Sequence, residues 1–289
     1  MTTRVIKSIP GPDPDTRIPA FRLPPLACDA HCHIFGPGDR YPYAPDRSYT
    51  PPDAPLEMFA ALHAKIGVER AVIVNASVHG TDNRVALDAI AQSNGRYRAV
   101  ANLDGSITET GIEELHQGGF RGCGFNFVRH LGGVPDMTVF DRIVAMVAPY
   151  GLHFDAVDLP DYAAVLQRLP LPYTIDHMGR VLASDGVQQK PFDTLLALLK
   201  RDEKCWVKIS GAERVSTAGP PFHDAVPFAR GLVEAAPDRI IWGTDWPHPN
   251  VRVMPNDGDL VDLIPLFAPE PELQHRILVT NPARLFGFD

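Results

Sequence analysis

The segment Asp29-Ala30-His31-Cys32-His33 directly follows the apolar run Pro25-Leu26-Ala27-Cys28. Residues two apart on an extended strand point to the same face, so His31 and His33 share a face and Cys32 points away from it. Two such imidazoles can bind one metal ion, or they can polarise one substrate carbonyl without a metal. The alternative is that one histidine caps the strand end while the other packs. The residues further along the chain distinguish these interpretations.

Strand-like and helix-like segments alternate along the rest of the chain. Extended or β-branched segments are predicted at 26–35, 71–77, 97–103, 122–128, 153–157, 173–177, 205–210 and 240–244. Helical spacing of apolar residues falls at 56–66, 83–91, 112–117, 137–147, 162–168, 192–200 and 222–235, and the chain after 244 is predicted to be helical. Strands separated by single helices pair in parallel through right-handed crossovers, and eight such units close into a (βα)8 TIM barrel of the α/β class.

A doubly wound open sheet is the competing topology. It usually carries a glycine-rich GxGxxG loop after its first strand, where this chain reads His33-Ile-Phe-Gly-Pro-Gly38. We therefore predict one catalytic barrel over 25–289. The proline-rich residues 1–24 lack periodicity and are predicted to form a surface arm that closes the bottom of the barrel or touches a neighbouring subunit. The long loop over 36–54 is typical of a functional loop.

Composition and charge restrict the function classes. The net charge is −8, with no cluster of Lys and Arg, which argues against a nucleic-acid partner and requires that any cations for an anionic substrate be local. The first 15 residues lack an apolar core of signal-peptide length, and no apolar run is long enough to span a bilayer. The scattered cysteines, Cys28, Cys32, Cys123 and Cys205, are predicted to be buried thiols. We interpret the chain as a cytoplasmic protein without membrane partners, and a monomer and a small homo-oligomer both stay open.

Polar side chains gather where the predicted strands end. In a (βα)8 barrel the C-terminal strand ends carry the chemistry. The residues found there are His31, His33, Ser77, His79, Asn126, Arg129, His130, Asp155, Asp158, Asp176, His177, Ser210, Glu213, Arg214, Asp245 and His248. Asp245 ends the eighth strand, which neighbours the first in a closed barrel. It can serve as a metal ligand, a general base for water, or both, the alternative being a helix N-cap.

Several motifs resemble the amidohydrolase superfamily, and within it the 2-pyrone-4,6-dicarboxylate lactonases and their relatives. The matching strings are Asp29-Ala-His-Cys-His-Ile-Phe-Gly-Pro-Gly38, His79-Gly-Thr-Asp-Asn-Arg84, Phe125-Asn-Phe-Val128, Ala156-Val-Asp-Leu-Pro160, Asp176-His-Met-Gly-Arg180, Val226-Pro-Phe-Ala-Arg230 and Ile240-Ile-Trp-Gly-Thr-Asp-Trp-Pro-His-Pro249. They run through nearly the whole chain. The resemblance implies a barrel hydrolase that opens an anionic lactone in aromatic-compound degradation, with Asp245 as general base and His31, His33 and His177 around the scissile carbonyl.

Other residues are candidates for binding the substrate. Arg214 can form a bidentate fork with a carboxylate or sulfonate, although a surface ion pair with Glu213 or Asp224 is the alternative. Tyr49 and Ser77 can supply hydrogen bonds. The remaining candidates are His79, Arg129, His130 and His248, and each of these three histidines can equally be a rim residue without a substrate contact.

The chain departs from the lactonase pattern at two positions. The resemblance suggests arginines that hold a substrate carboxylate immediately before Phe-Asn-Phe and two residues after the following Val. This chain has Gly124 and His130 there. Each buried, charge-assisted contact contributes about 1.5 to 3 kcal/mol. We therefore hypothesise a lactone with fewer or different anionic groups, such as a muconolactone or its sulfonated analogue.

Metal dependence and reaction type stay open in the sequence. His31, His33, His177 and Asp245 make a plausible mononuclear zinc set, whereas the lactonase family is understood to work without a metal. Loss of the two arginines leaves more carbonyl polarisation to be supplied and slightly favours a bound divalent metal. The alternatives to hydrolysis are a lactone isomerase or decarboxylase on the same barrel and a non-catalytic ligand-binding barrel.

Overall fold

A computed structural model describes residues 6–124, 136–150, 153–156 and 163–289, with the backbone alone for 153–156. Eight strands form one sheet in which each strand pairs in parallel with the next along the chain. The strands are β1 (Cys28–Cys32), β2 (Arg70–Val74), β3 (Tyr97–Asn102), β4 (Phe120–Gly124), β5 (His153–Ala156), β6 (Tyr173–Ile175), β7 (Cys205–Lys208) and β8 (Ile240–Ile241). A separate parallel pair joins Lys7–Ser8 to Tyr49–Thr50.

Helices follow the strands, as the alternation in the sequence predicts. They are α1 (Leu56–Ile66), α2 (Arg84–Gln92), α3 (Glu109–Gln117), α4 (Met137–Val147), α5 (Ala163–Gln167), α6 (Lys190–Arg201), α7 (Ala212–Val215), α8 (Val226–Ala235), α9 (Asp257–Asp262), α10 (Ile264–Phe267), α11 (Pro271–His275) and α12 (Asn281–Phe286). Short 3-10 turns lie at Ser77–His79, Ala148–Tyr150, His177–Arg180, Ala183–Asp185, His223–Ala225 and Pro237–Arg239, and a π turn lies at Arg276–Thr280. The helix expected over 222–235 is in fact a 3-10 turn followed by α8.

Backbone hydrogen bonds join the first strand to the residues that follow the eighth. The Ala30 amide donates to the Trp242 carbonyl at 2.9 Å, and the Asp245 amide donates to the His31 carbonyl at 2.7 Å. The Asp29 carboxylate reinforces this seam by accepting from the Thr244 amide at 3.0 Å and from its hydroxyl at 2.5 Å. The strand order and this closure confirm the predicted (βα)8 barrel.

Where the structure describes the residues that follow a strand, that strand ends earlier than the sequence predicted. β8 ends at Ile241 instead of residue 244, and Asp245 adopts a left-handed φ of 68°. β6 ends at Ile175, and His177, two residues further on, has a φ of 50°. His177 and Asp245 therefore lie in sharp turns just beyond the strand ends, where a left-handed backbone re-aims the side chain.

The segment that precedes the barrel lies against α9. The Arg17 guanidinium forms ion pairs with Asp259 and with Asp262, the latter at 2.5 Å. The Phe21 amide donates to Asp262 at 2.8 Å. The division into an arm over 1–24 and a barrel over 25–289 stays a prediction.

The structure describes all four cysteines and the helices that bear on the predicted lack of a membrane span. All four cysteines are buried and form no disulfide, which agrees with the predicted thiols. Each described helix is too short or too polar to cross a lipid bilayer.

Candidate active site

Asp245 is the centre of the site. Its carboxylate is 1% exposed, and its Oδ1 atom faces three imidazoles. The distances from Oδ1 are 3.3 Å to His33 Nε2, 3.5 Å to His31 Nε2 and 3.8 Å to His177 Nε2. The structure thus brings together the four residues that the sequence singled out as catalytic candidates.

Local backbone geometry explains how these side chains meet. β1 presents His31 and the residue after it, Cys32, to opposite faces, and His33 follows the strand end. His177 follows β6 and is packed against Gly211, which follows β7. A Cβ atom at residue 211 would lie 2.9 Å from both Cβ and Nδ1 of His177, and Gly211 has a φ of +69°. Only glycine satisfies both conditions without displacing the His177 ring.

Arg214 holds the other oxygen of Asp245. Its Nε donates to Asp245 Oδ2 at 2.5 Å, its Nη2 contacts the same oxygen, and Nη2 also donates to the Pro249 carbonyl at 2.9 Å. Burial by itself would raise the pKa of Asp245, but the Arg214 guanidinium outweighs it and holds that pKa well below its usual range. Asp245 is therefore an anion, and Arg214 pairs with it in addition to lying 3.6 Å from Glu213.

Each imidazole has a different partner on its far side. The Nδ1 atom of His33 lies 2.8 Å from the Val74 carbonyl, which can only accept, so this nitrogen carries the proton. The Nδ1 atom of His177 lies 3.0 Å from the Ser210 hydroxyl, which can donate or accept. Burial lowers the pKa of His177 well below its usual value, so this ring is neutral.

The structure adds a residue that sequence reasoning missed. Lys208, the last residue of β7, is 0% exposed, and its Nζ lies 3.0 Å from Asp176 Oδ1 and 3.1 Å from His31 Nδ1. The available signal was a lysine inside the apolar strand Cys205–Lys208, since a buried lysine is rare unless it is paired. The sequence pattern places Asp176 at the rim, and the structure shows Lys208 as its partner.

The predicted substrate-binding residues fall into two groups. Tyr49 is buried, its hydroxyl is hydrogen-bonded to the exposed Ser77 side chain, and burial raises its pKa. These two residues and Arg214 lie near Asp245 or at the rim. His79 instead accepts from the Gly36 amide at 3.4 Å and packs on the Tyr43 ring at 5.0 Å between centroids, so its contacts are with the 36–54 loop.

His248 lies beside Asp245 but is held by another carboxylate. Its Nε2 is 3.1 Å from Asp257 Oδ1, and both side chains are fully buried. Burial by itself would lower the pKa of His248, but Asp257 outweighs this effect and the pKa is raised. The predicted contacts Arg129 and His130, together with Asn126, Asp158 and the Asp155 side chain, lie outside the described residues.

The donor atoms partly suit a divalent cation. One ligand atom each from His31, His177 and Asp245 lies within 4.8 Å of the others, and a tetrahedral zinc site needs separations of about 3.3 Å. A metal-bound histidine, however, donates its other N–H to an acceptor. His31 presents Nδ1 to the Lys208 ammonium, which has no acceptor. The set does not fit a metal that has His31 as a ligand.

The side chains of two further groups of potential metal ligands already make other contacts. Glu213, Asp245 and His248 form one, and the Arg214 guanidinium borders it, 3.6 Å from Glu213, which opposes a second cation. Asp29, Cys32 and His63 form the other. There Asp29 accepts hydrogen bonds from Thr244 and lies 3.2 Å from His63 Nε2.

Comparison with known proteins extends beyond these residues. The sequence model of the amidohydrolase family matches residues 28–288. The chain belongs to the amidohydrolase family. Among solved structures, this amidohydrolase is similar to the apo crystal structure of an Agrobacterium tumefaciens protein, with a TM-score of 0.82 and 28% identity over 94% of this chain and 99% of that one.

Two curated relatives of this amidohydrolase carry names that state a reaction. A 2-pyrone-4,6-dicarboxylate hydrolase from Comamonas testosteroni is 44% identical and covers 93% of this chain and 92% of its own length. A 4-sulfomuconolactone hydrolase from Hydrogenophaga intermedia is also 44% identical and covers 92% of this chain and 90% of its own length. The equal identities do not discriminate between the two substrates.

Proposed function

We propose that this amidohydrolase opens the ring of an anionic lactone by adding water to its carbonyl, with Asp245 as the general base. The observation that carries the proposal is the convergence of three imidazole nitrogens on Asp245 Oδ1 at 3.3 to 3.8 Å, while Arg214 holds the second oxygen. The names of the two 44% identical relatives support the reaction class.

The nucleophilic water is held between two acceptors. A neutral His33 ring that donates its Nδ1 proton to the Val74 carbonyl has no proton on Nε2. This Nε2 atom faces the Asp245 carboxylate at 3.3 Å. Two acceptors side by side repel each other unless a donor bridges them. A water molecule that donates one hydrogen to each fits this pair, and its lone pair then points at the substrate carbonyl.

The hydrolysis balances with the groups present. Asp245 takes one proton as the water oxygen bonds to the carbonyl carbon, and an N–H of His31 stabilises the oxyanion. When the carbonyl re-forms, the ring C–O bond breaks and Asp245 returns the proton to the leaving ring oxygen. The new carboxylic acid loses its proton to solvent, so water is consumed and a hydroxy or oxo carboxylate is released.

The proposed substrate class rests on Arg214 and on Gly124. Arg214 is positioned to share its guanidinium between Asp245 and a substrate carboxylate or sulfonate, with Tyr49 and Ser77 as hydrogen-bond donors. Gly124 ends β4 and offers no charge, in place of the arginine expected from the resemblance. We therefore propose a lactone with a single anionic group near Arg214, of the muconolactone or sulfomuconolactone type, in preference to the pyrone dicarboxylate.

Turnover of defined lactones tests the proposal. Purified protein is incubated with muconolactone, 4-sulfomuconolactone and 2-pyrone-4,6-dicarboxylate, and the products are weighed by mass spectrometry. Hydrolysis adds the mass of water, isomerisation adds nothing, and decarboxylation removes the mass of carbon dioxide. Saturating turnover of the pyrone dicarboxylate contradicts the proposed specificity, and a product without added water contradicts the proposed reaction.

The role of Asp245 has its own test. Asp245→Asn keeps the size of the side chain and tolerates the left-handed backbone, and we expect kcat to fall by about 10² to 10⁴ because the base is lost. Asp185→Asn, at an exposed carboxylate, is the matched control and should keep full activity. Full turnover by Asp245→Asn contradicts the assignment.

Metal dependence is tested separately. We propose that His31 acts through its N–H and not as a zinc ligand, because Lys208 lies behind it. Elemental analysis of protein purified without added metal, followed by assay before and after chelation, measures this directly. We expect activity to survive chelation. Stoichiometric zinc together with activity lost on chelation would support the zinc set of His31, His33, His177 and Asp245 instead.

A further inference from the structure

Lys208 places a fully buried ammonium group behind the catalytic histidines. Its side chain is 0% exposed and lies 3.0 Å from the carboxylate of Asp176, which is itself 3% exposed. Removing a charged pair from water in this way is costly. A specific task for the pair would explain why it is present. The task is indicated by the second contact of the ammonium, to Nδ1 of His31 at 3.1 Å.

The geometry separates these two contacts. The approach of Lys208 Nζ to His31 Nδ1 has the geometry of a hydrogen bond. The approach to Asp176 Oδ1 is an ion pair by distance, but among the described residues that oxygen has no hydrogen-bond partner. The ammonium therefore directs a proton at His31 and is balanced electrostatically by Asp176.

An ammonium group has three donors and no acceptor. A nitrogen that receives its hydrogen bond must offer a lone pair, so Nδ1 of His31 is unprotonated. In a neutral imidazole the proton then resides on Nε2, the atom that faces Asp245 Oδ1 at 3.5 Å. This is the opposite tautomer to that of His33, which donates from Nδ1 to the Val74 carbonyl.

We propose that Lys208 is a positioning residue that fixes His31 as the Nε2–H tautomer, so that His31 donates a hydrogen bond to the carbonyl oxygen while His33 accepts one from the water. The proposal rests on the lactone hydrolysis proposed above and assigns the two histidines complementary roles. Neighbouring imidazoles with the same strand origin thus differ because of the group behind each ring.

Asp176 would favour the other tautomer of His31 if Lys208 were replaced. Its Oδ1 lies 3.4 Å from His31 Nδ1, close enough to accept a proton from that nitrogen after a small shift. With Lys208 replaced by an apolar side chain, the Asp176 carboxylate becomes the nearest partner of Nδ1. His31 should then adopt the Nδ1–H tautomer and lose its donor towards the substrate.

Nitrogen NMR on protein labelled with ¹⁵N-histidine tests the proposal without any substrate. Correlations between the carbon-bound protons of the imidazole ring and its two nitrogens show which nitrogen carries the proton. A His31→Asn sample assigns the His31 resonances by their absence. We expect Nε2–H in the wild type and Nδ1–H in Lys208→Met. Lys200→Met, at an exposed lysine, is the control and should leave the His31 pattern unchanged. An Nδ1–H pattern in the wild type, or no change in Lys208→Met, overturns the proposal.

A second variant covers the case in which the unpaired Asp176 charge prevents Lys208→Met from folding. Lys208→Met/Asp176→Asn removes both charges together, and we expect His31 to lose its single Nε2–H pattern. Retention of a pure Nε2–H pattern in this variant overturns the proposal. Wild-type protein alone also decides, since it must show the Nε2–H pattern.

Kinetics then connect the tautomer to catalysis. In Lys208→Met we expect kcat to fall by about 100-fold with KM little changed, because one oxyanion donor is lost in the transition state. A fall confined to KM contradicts the positioning role. If the wild type hydrolyses none of the lactones but shows the expected tautomers, the proposed function fails while the assignment of Lys208 stands.

Discussion

Three imidazoles face one carboxylate oxygen in this protein, and the group behind each ring distinguishes them. A backbone carbonyl stands behind His33, a hydroxyl behind His177 and an ammonium behind His31. A carbonyl only accepts and an ammonium only donates, so two of the three tautomers follow from the far-side partner. Chemical roles at this scale are set by single hydrogen bonds.

The proposed specificity depends on single positions, of which Gly124 can be tested by substitution. A Cβ atom there would meet Asn102 Oδ1 at 3.5 Å and Val100 Cγ1 at 3.8 Å, which are ordinary contacts. We predict that Gly124→Arg lowers KM for 2-pyrone-4,6-dicarboxylate by about 10-fold or more, since a buried charge-assisted contact contributes about 1.5 to 3 kcal/mol. Gly124→Met, which adds length without charge, is the control. An equal effect of both variants on steady-state KM contradicts a role for charge.

The buried His79 should make the stability of the protein depend on pH. Burial lowers its pKa, and hydrogen bonding by Pro42 and the charge of Asp82 only partly offset this effect. The native state thus binds fewer protons than the unfolded state, whose histidine pKa is about 6.5. Stability from this group is fully present above about pH 6.5 and is lost as pH falls below that value towards the folded pKa.

Urea unfolding of the wild type and His79→Gln at pH 7.5 and 5.5 measures this contribution, both values being about one unit either side of the reference pKa. We expect the wild type to lose more unfolding free energy than the variant on acidification. Equal losses in the two proteins would show that His79 does not titrate as its burial implies.

At the scale of elements, the turns beyond the strands carry the site. His177, Asp245 and His248 all have left-handed backbones, with φ values of 50°, 68° and 59°. Such conformations cost about 1 to 3 kcal/mol each in non-glycine residues and persist where the surroundings impose them. Here the imposing contacts come from neighbouring elements, as Gly211 does for His177.

Gly211→Ala tests how closely the turn after β7 supports the turn after β6. An added methyl group would lie 2.9 Å from the His177 side chain, so the ring must move. We predict a fall in kcat of about 10-fold or more, since small misplacements of catalytic groups are costly. Gly105→Ala, where the nearest atom is 3.4 Å away, is the control for circular dichroism and lactone turnover. Unchanged kcat in Gly211→Ala would mean that the ring position is not critical.

For the whole molecule, the contacts that close the barrel also bring the site residues together. Asp29 joins β1 to the residues after β8 through Thr244, and the same seam places Asp245 beside His31 and His33. Closure requires a very close approach at Gly243, where a Cβ atom would lie 2.5 Å from the His31 amide nitrogen. Asp245 and the histidines therefore meet only when the last strand returns to the first.

Gly243→Ala should disrupt that seam. Because the clash is with backbone, which cannot move aside as a side chain does, we predict a loss of about 3 kcal/mol of unfolding free energy, at the upper end of overpacking costs. Denaturant unfolding measures this loss, with Gly105→Ala as reference. A stability equal to that of the reference would show that the strands can separate at Gly243 without penalty.

The sequence by itself determined the alternation of strands and helices, hence the (βα)8 barrel, and it located the polar residues at one rim. These features are local, because hydrophobic periodicity and strand-end position are written in neighbouring residues. His31, His33, His177 and Asp245 could therefore be grouped without coordinates, whereas the exact strand ends could not, because left-handed turns replace the last predicted strand residues.

Only the tertiary structure decided which atoms face each other. Lys208 reaches His31 across a separation of 177 residues, and Arg214 pairs with Asp245 instead of forming only a surface ion pair with Glu213 or Asp224. A hydrogen bond between side chains from different strands requires that their separation be correct to within a few tenths of an ångström. No local pattern encodes that distance, since it is set when the eight strands close into a barrel.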